Sequence, residues 1–249
     1  MKFNTNKSMV NYQDNDGAKI RLICFANAGG GPSMFRQWHS FLNDDVDVWA
    51  AAYPGRDTLS GELFAKTMSG LISYYISDLS IFSGAKIVFY GHSFGALVAY
   101  MLAMKLRDLG FLIDVLCVGA RRSPMMPPRE KLKFYSDKKL IDQLSTFGGI
   151  PDILLEDDDM LNYFLPHIRN DLELNEETVS LSNAKLDMPI VAFSSPADLL
   201  VLPKEIRAWG ECTHASFENI SLSGGHFFIK NNERVFFDQM NKILEKSTS

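Results

Sequence analysis

The stretch that most constrains this chain runs over residues 86–106 and reads KIVFYGHSFGALVAYMLAMKL. Its apolar start predicts a buried strand, and apolar residues at i, i+3 and i+4 spacing from Phe94 onward predict an amphipathic helix. Ser93 lies at the sharp turn between them, with Gly91 and Gly95 two residues away on either side. Glycine is needed at both places because a Cβ atom would collide with neighbouring backbone. The turn exposes the Ser93 hydroxyl and leaves the Phe94 N–H at a helix N-terminus, where developing negative charge is favoured.

Short β-rich segments alternate with segments of helical period along most of the chain. Strands that are apolar almost throughout are typical of a parallel sheet covered on both faces. The predicted class is therefore α/β, with a mostly parallel sheet and helices on both of its faces. The strand candidates are residues 19–25, 46–52, 86–90, 111–120, 189–193 and 217–222, and the helix candidates are about 33–42, 62–83, 94–109, 203–211 and 233–246.

Residues 121–187 interrupt this alternation. They hold helix-like stretches at about 137–147 and 157–165 but no convincing strand, and their proline-rich start would end the preceding strand. We expect a helical cap, or lid, inserted into a single domain that spans residues 1–249. The methionine, leucine and phenylalanine side chains of this cap would either line an apolar channel or form an ordinary core.

A serine hydroxyl is a weak nucleophile unless a base removes its proton, and the base needs a third group to orient it. His226 follows the last predicted strand after two glycines, where a loop at the carboxyl edge of the sheet can reach the serine. Asp198 follows the preceding strand, whereas Asp187 lies at the opposite end of that strand. The predicted catalytic residues are Ser93, Asp198 and His226, in the chain order typical of an α/β-hydrolase. Of the other histidines, His92 should point away from the serine, and those at 39, 167 and 214 lie in predicted helices or in the cap.

The negative oxygen that nucleophilic attack would create needs a second N–H donor besides that of Phe94. The loop after the first long strand, FANAGGG at residues 25–31, is the candidate source of this donor. Its three glycines would let the backbone approach a substrate closely. A flexible turn is the alternative interpretation of the same glycines.

The composition limits the remaining possibilities. A net charge of −5 argues against general nucleic-acid binding, which usually requires a basic excess. The first residues are polar, and no segment carries the roughly 18 uninterrupted apolar residues that a membrane-spanning helix needs. We expect a cytoplasmic monomer without a metal ion or cofactor and without a membrane partner.

Its three cysteines, Cys24, Cys117 and Cys212, are expected to be reduced core residues.

Several segments together resemble one family, the type II or editing thioesterases that accompany nonribosomal peptide and polyketide synthases. The loop FANAGGG resembles the family's Phe-Pro-(Tyr/His)-Ala-Gly-Gly, YPGRD at 53–57 its Pro-Gly-Arg, and GHSFGALVA its nucleophile elbow. GARRSPMMPP at 119–128, FGGIP at 147–151 and FLPHIRNDLEL at 164–174 resemble segments of its cap, and GGHFF resembles its histidine loop. The order and spacing of these segments are specific, and they extend over nearly the whole chain.

The resemblance implies an α/β-hydrolase fold and hydrolysis of acyl thioesters from the phosphopantetheine arm of carrier proteins, which clears stalled or misprimed synthases. It also implies a role for five residues. They are Ser93, Asp198 and His226 as the catalytic triad, and Ala28 and Phe94 as the backbone N–H donors of the oxyanion hole.

The chain departs from the family at Ala26 and Asn27, where Pro and Tyr or His are usual. This departure concerns the acyl pocket more than the chemistry, because neither oxyanion N–H depends on those side chains. Two alternatives stay open at the level of sequence. One is a carboxylesterase or small-molecule lipase that uses the same residues, and the other is a catalytically silent subunit that docks on synthase modules.

The cap has an uneven charge distribution. Between residues 121 and 139, seven basic side chains face two acidic ones, whereas residues 152–159 are acidic. The simpler interpretation is two solvated faces that keep the cap in solution. The alternative is a basic surface that attracts an acidic carrier protein and the phosphate of its arm.

Overall fold

The computed structural model describes residues 5–6, 8–126, 131–149, 156–177 and 185–248. Within these residues, eight strands form one sheet. They are β1 (Thr5–Asn6), β2 (Met9–Asn11), β3 (Ile20–Phe25), β4 (Val46–Ala51), β5 (Lys86–His92), β6 (Val115–Gly119), β7 (Ile190–Ser194) and β8 (Phe217–Ser221). Their order in the sheet is β1-β2-β4-β3-β5-β6-β7-β8. The pairs from β4 to β8 are parallel, and only β1 and β2 join in antiparallel fashion at one edge.

The described helices alternate with these strands. The α-helices are α1 (Met68–Tyr75), α2 (Phe94–Asp108), α3 (Asp137–Thr146), α4 (Asp158–Glu177), α5 (Pro203–Arg207) and α6 (Glu233–Thr248). Short 3-10 helices lie at Pro32–Phe35, Trp38–Phe41, Asp57–Leu59, Leu79–Phe82, Leu132–Phe134, Ala208–Cys212 and Phe228–Asn231. The expected α/β class with a mostly parallel sheet is therefore confirmed.

Neighbouring residues of β5 show how the sheet is covered on both faces. Phe89 packs against the ring of Phe25, which in turn meets Tyr75 of α1. Tyr90 points to the opposite face, because side chains alternate along a strand, and it packs against Trp38 and Phe236 of α6. β5 is buried on both sides apart from its first residue. The serine that follows it is therefore held by a strand in the centre of the core.

Four differences from the sequence-based expectation concern segments whose sequence patterns are weak. Residues 33–42 form two 3-10 helices instead of one α-helix, and only the middle of 62–83 is α-helical. The antiparallel pair β1 and β2 was not predicted, because its strands are two and three residues long. The helix expected at 157–165 continues to Glu177, passing through Pro166.

The described parts of residues 121–187 contain α3 and α4 but no strand. The two helices share a small apolar cluster that is separate from the main core, formed by Leu140 of α3 and by Leu165, Ile168 and Leu172 of α4. We call residues 121–187 the cap segment. Parts of the quoted segments GARRSPMMPP and FGGIP fall outside the described residues. That the segment works as a lid remains a prediction. No helix in the described ranges is long and apolar enough to cross a membrane.

Candidate active site

Ser93 occupies the strained turn that its sequence context predicts. It lies between the last residue of β5 and the first of α2, with φ 52° and ψ −112°, a conformation that costs energy in any residue other than glycine. A Cβ atom built on Gly91 would lie 2.4 Å from the Gly95 oxygen, and one built on Gly95 would lie 2.1 Å from the Phe25 oxygen. Both obstacles are backbone atoms that no side-chain rearrangement can move. The steric argument for the two glycines is confirmed.

The structure brings the three predicted side chains into one chain of hydrogen bonds. His226 Nε2 lies 3.0 Å from Ser93 Oγ, and His226 Nδ1 lies 2.9 Å from Asp198 Oδ2. Both the imidazole and the carboxylate are buried, with 5% and 2% of their side-chain surface exposed. A histidine that donates through Nδ1 to a carboxylate presents the lone pair of Nε2 to the serine, which is the arrangement needed to remove the serine proton.

The loops that carry Asp198 and His226 hold each other in place. Asp198 Oδ1 accepts the N–H of Leu200 at 2.7 Å and that of Val201 at 3.2 Å, so its other oxygen is left for His226. The Ser195 hydroxyl donates to the backbone oxygen of Gly224 in the loop that carries the histidine. These bonds fix the orientation of the carboxylate in the turn FSSPAD at residues 193–198.

The loop at residues 25–31 lies beside the serine. Asn27 and Ala28 line the same pocket as Ser93 and His226. The Gly30 N–H donates to the Asn27 oxygen at 2.9 Å, which closes a β-turn. Gly29 has φ +76°, the positive value that the third residue of a type II turn requires. The glycine-rich loop thus forms a type II turn at the pocket wall.

The pocket above Ser93 has a volume of about 380 Å³, within the usual range for small-ligand sites. One side is formed by α2 and by the loops that follow β5 and β7, through Ser93, Leu97 and Val201. The other side is formed by the cap segment, through Tyr135, Leu144 and Phe147. The lining is mostly apolar, so the pocket suits an acyl chain or another apolar group next to the serine.

Two guanidinium groups add positive charge to this lining. Arg122 pairs with Glu205 at 3.5 Å, and Arg121 donates to the Asn175 side chain of α4. Burial, together with the neighbouring charge of Arg122, lowers the pKa of Arg121 to about 10, so the group stays protonated at neutral pH. The pocket lining therefore combines apolar side chains with the two guanidinium groups and the carboxylate of Glu176.

The remaining histidines lie where they cannot act as the base. His92 points away from Ser93, as expected, and is buried beneath the His226 loop. His39 and His214 are exposed, and His39 contacts the Arg36 oxygen. His167 of α4 lies 3.2 Å from the Gly55 oxygen. Asp187, rejected as the acid, is exposed before the start of β7.

An ion pair near the site was not anticipated from the sequence. Arg56 donates to both oxygens of Asp171 of α4, at 2.7 and 3.0 Å, and both residues are almost fully buried. Asp171 also accepts the Gly29 N–H at 2.8 Å. Arg56 and Asp171 lie in the segments YPGRD and FLPHIRNDLEL, which carry part of the family resemblance. Those segments do not reveal that the two side chains form an ion pair.

Comparisons with known proteins indicate the family of this chain. Gramicidin S biosynthesis protein GrsT of Aneurinibacillus migulanus is 29% identical over 241 residues, covering 96% of this chain and 94% of that protein. The medium-chain S-acyl fatty acid synthase thioesterase of Rattus norvegicus is 31% identical over 254 residues, covering 98% and 95%. The solved structure of the type II thioesterase BorB from the borrelidin biosynthetic cluster has a TM-score of 0.86 and 27% identity, covering 96% of this chain and 98% of BorB. The expected resemblance to type II thioesterases is confirmed.

A family model described as a thioesterase domain matches residues 20–247. The match extends from the first parallel strand into the last helix and includes the serine turn, the cap segment and the histidine loop. The chain belongs to the thioesterase domain family.

Proposed function

We propose that this protein is a serine-dependent editing thioesterase, which hydrolyses acyl groups from the phosphopantetheine arm of carrier proteins in nonribosomal peptide or polyketide synthesis. The observation that carries the proposal is the chain of hydrogen bonds from Ser93 through His226 to Asp198 at the base of a mostly apolar pocket. The names of two relatives support the biosynthetic context, since GrsT is a gramicidin S biosynthesis protein and BorB belongs to a borrelidin cluster. The site of action would be the cytoplasm.

The first half of the reaction transfers the acyl group to the enzyme. His226 Nε2 removes the Ser93 proton while Oγ attacks the thioester carbonyl, and the negative oxygen is stabilised by the N–H groups of Phe94 and Ala28. Asp198 stays ionised and stabilises the imidazolium that forms. Collapse of the tetrahedral intermediate breaks the carbon–sulfur bond, and the thiol of the arm leaves with the proton from His226.

The second half releases the acyl group as an acid. His226 removes a proton from water, the hydroxide attacks the acyl-serine ester, and the same two N–H groups stabilise the second tetrahedral intermediate. Ser93 then regains its proton from His226. One thioester and one water give one carboxylic acid and one thiol, so no cofactor enters the proposed reaction.

Mass spectrometry of carrier proteins tests this proposal directly. A panel of carrier proteins loaded with acetyl, medium-chain fatty acyl and aminoacyl groups is incubated with the wild-type protein and with Ser93→Ala. We expect loss of the acyl mass with the wild type and a rate at least about 10⁴-fold lower with Ser93→Ala.

Rapid turnover of a p-nitrophenyl ester with no turnover of any acyl carrier protein would instead make the protein an esterase. Failure of the wild type to react with a serine-directed fluorophosphonate would indicate a silent docking subunit. Turnover by Ser93→Ala at the wild-type rate would contradict both enzyme assignments.

A further inference from the structure

The turn that carries Ala28 is held from three directions. Its central peptide joins Ala28 to Gly29, and the Ala28 oxygen accepts a hydrogen bond from Asn27 Nδ2 at 3.0 Å. The N–H of the same peptide donates to Asp171 Oδ2 at 2.8 Å. The Gly30 N–H closes the turn onto the Asn27 oxygen. The bonds to the Ala28 and Asn27 oxygens are local, whereas the acceptor of the Gly29 N–H is a side chain of α4, 142 residues further along the chain.

A turn of this kind has an alternative conformation. Type I and type II turns share the closing hydrogen bond and differ by a near reversal of the central peptide. Gly29 can adopt either form, because it lacks a Cβ atom. Reversal would carry the Ala28 oxygen to the side where the Gly29 N–H now lies, and the oxygen would then face the Asp171 carboxylate. A carbonyl oxygen in contact with a carboxylate inside a buried site is strongly repelled, so Asp171 favours the type II form and keeps the backbone that follows Ala28 from rearranging.

Asp171 is itself held rigidly. Its carboxylate forms a bidentate ion pair with Arg56, whose guanidinium lies 4.4 Å from the centre of the Tyr53 ring. The Tyr53 hydroxyl donates to the Ala26 oxygen, which adjoins the turn. Burial alone would lower the pKa of Arg56, but the charge of Asp171 outweighs this and raises it. Arg56 is thus a permanent cation that holds the carboxylate in one orientation.

A second contact of α4 supports the same turn. A Cβ atom built on Gly29 would lie 2.4 Å from Cγ1 of Ile168. Ile168 precedes Asp171 by one turn of α4. The helix therefore packs directly on the Gly29 backbone as well as accepting its N–H. Since α4 belongs to the cap segment, the shape of the turn depends on the helix being in its present position.

We propose that Asp171 is a positioning residue for the oxyanion hole: by accepting the Gly29 N–H it anchors the turn directly after Ala28, and so keeps the Ala28 N–H, which belongs to the preceding peptide, at a fixed position beside the reacting carbonyl. The inference rests on the proposed function, because it assumes that Ala28 stabilises an oxyanion. It makes the cap segment part of the catalytic apparatus: α4 both encloses the acyl group and completes the turn that stabilises its transition state.

Two double variants isolate this role from that of the ion pair. Removing Asp171 alone would leave the Arg56 charge buried without a partner, which destabilises proteins strongly, whereas replacing both charges is often tolerated. Arg56→Met with Asp171→Leu removes the acceptor for the Gly29 N–H. Arg56→Met with Asp171→Asn removes the same charges but keeps a side-chain oxygen at that position. Thermal melting followed by circular dichroism checks that both variants fold.

The double variant with Asp171→Leu is called the Leu variant, and that with Asp171→Asn the Asn variant. We expect the Leu variant to have a kcat about 10²-fold below that of the wild type at a similar KM, because removal of one oxyanion donor lowers kcat by about 10²–10³-fold. The Asn variant should stay within about tenfold of the wild type. A trifluoromethyl ketone analogue, which forms a tetrahedral oxyanion on the serine, should lose affinity for the Leu variant in parallel with kcat. A non-hydrolysable thioether analogue of the substrate should bind both variants equally.

Equal kcat values for the folded Leu and Asn variants would overturn the inference, and so would a loss confined to KM. If the Leu variant is unfolded at the assay temperature, Asp171→Ala in the Arg56→Met background makes the same deletion, and the same comparison with Asn applies. The wild-type control separates this inference from the proposed function. No thioester turnover by the wild type contradicts the function itself, whereas normal wild-type turnover with equal variants contradicts only the role of Asp171.

Discussion

The imidazole of His92 holds the backbone of His226: its Nε2 atom lies 3.0 Å from the His226 oxygen. Its Nδ1 atom lies 3.0 Å from the hydroxyl of Tyr90, and burial keeps that phenol protonated by raising its pKa well above 10. The Tyr90 O–H therefore donates to Nδ1, and the His92 Nε2–H donates to the carbonyl. One neutral imidazole, next to Ser93 in sequence, thus holds the loop that carries His226.

This arrangement predicts a pH-dependent stability. Burial, and then the charge of His226, lower the pKa of His92 to about 3, against about 6.5 in an unfolded chain. Between these values the unfolded state binds more protons, so the free energy of unfolding falls as the pH falls. His92 should remove about 2 kcal/mol of stability between pH 7 and pH 5. Urea unfolding at both pH values measures this loss.

The matched variant for that measurement is His92→Gln, whose amide can donate to the His226 oxygen but does not titrate. Tyr90, His226 and Asp198 are the other titratable groups that act on this site, and all three are kept in the variant. Between pH 7 and pH 5, the free energy of unfolding of the His92→Gln protein should fall by about 2 kcal/mol less than that of the wild type. Equal losses in the two proteins would show that His92 is not the titrating group.

Asp198→Asn should lower kcat by about 10⁴-fold without lowering the melting temperature much. Because Leu200 and Val201 donate to Oδ1, the amide oxygen of Asn must take that place, and its NH₂ group must face His226. The imidazole then has to accept at Nδ1 and carry its proton on Nε2, where it cannot act as a base toward Ser93. Steady-state hydrolysis of an acyl carrier protein measures the loss. Near-normal turnover would mean that another carboxylate orients His226.

Gly95→Ala should destabilise the protein and reduce its activity together. The new Cβ atom would lie 2.1 Å from the Phe25 oxygen and 2.5 Å from the Ala26 oxygen, so the backbone at the start of the loop at residues 25–31 must move. Overpacking of this kind typically costs about 1–3 kcal/mol. Gly61→Ala is the matched control, because Gly61 has open space around it. Thermal melting and kcat are measured for both, and a Gly95→Ala protein that matched Gly61→Ala would refute the steric argument.

The charge pattern of the cap predicts a salt-dependent encounter with carrier proteins. Several cations of residues 121–139 are already engaged, since Lys133 pairs with Glu177 and Arg122 with Glu205. Lys131 and Lys138 are exposed, and Lys131 lines the pocket. Charge reversal of both to Glu should raise the KM for an acidic acyl carrier protein several-fold and weaken its salt dependence, because such charges act mainly on association.

The control for this prediction is a small acyl thioester without a carrier, whose turnover should be unchanged. Lys242→Glu, on the exposed side of α6, serves as the matched surface variant. Equal losses on the carrier and on the small thioester would mean that Lys131 and Lys138 support the fold of the cap segment. No loss on either substrate would leave them as ordinary solvated charges.

The parts of the fold that were predictable are those that local chemistry decides. The strand, the glycine-flanked serine and the helix from 86 to 108 form one continuous segment, so sterics within a few residues determine the turn. The candidate acid and base were also predictable, because parallel strands bring their carboxyl ends to one edge of the sheet. That rule places Asp198 and His226 together although 28 residues separate them.

The parts that were not predictable depend on contacts between distant segments. Proline disfavours a helix interior, so a helix was expected to end before Pro166. In the structure α4 continues past Pro166 because Leu165, Ile168 and Leu172 are all buried in the apolar cluster shared with α3. This packing outweighs the backbone hydrogen bond that proline cannot donate. The contact between Asp171 and the Gly29 N–H joins positions 142 residues apart, and no local pattern reveals it.

The buried cysteines have a practical consequence for measuring thiol release. Cys24 and Cys117 flank Tyr90 in one row across three neighbouring strands, and Cys212 lies beside the Ser123 hydroxyl. All three thiols are unpaired and inaccessible, and burial raises their pKa values, that of Cys212 to about 11. The native protein therefore presents almost no thiolate to a disulfide reagent. Colour that develops in such an assay reports the thiol of the substrate, and a slow rise without substrate reports global unfolding of the enzyme.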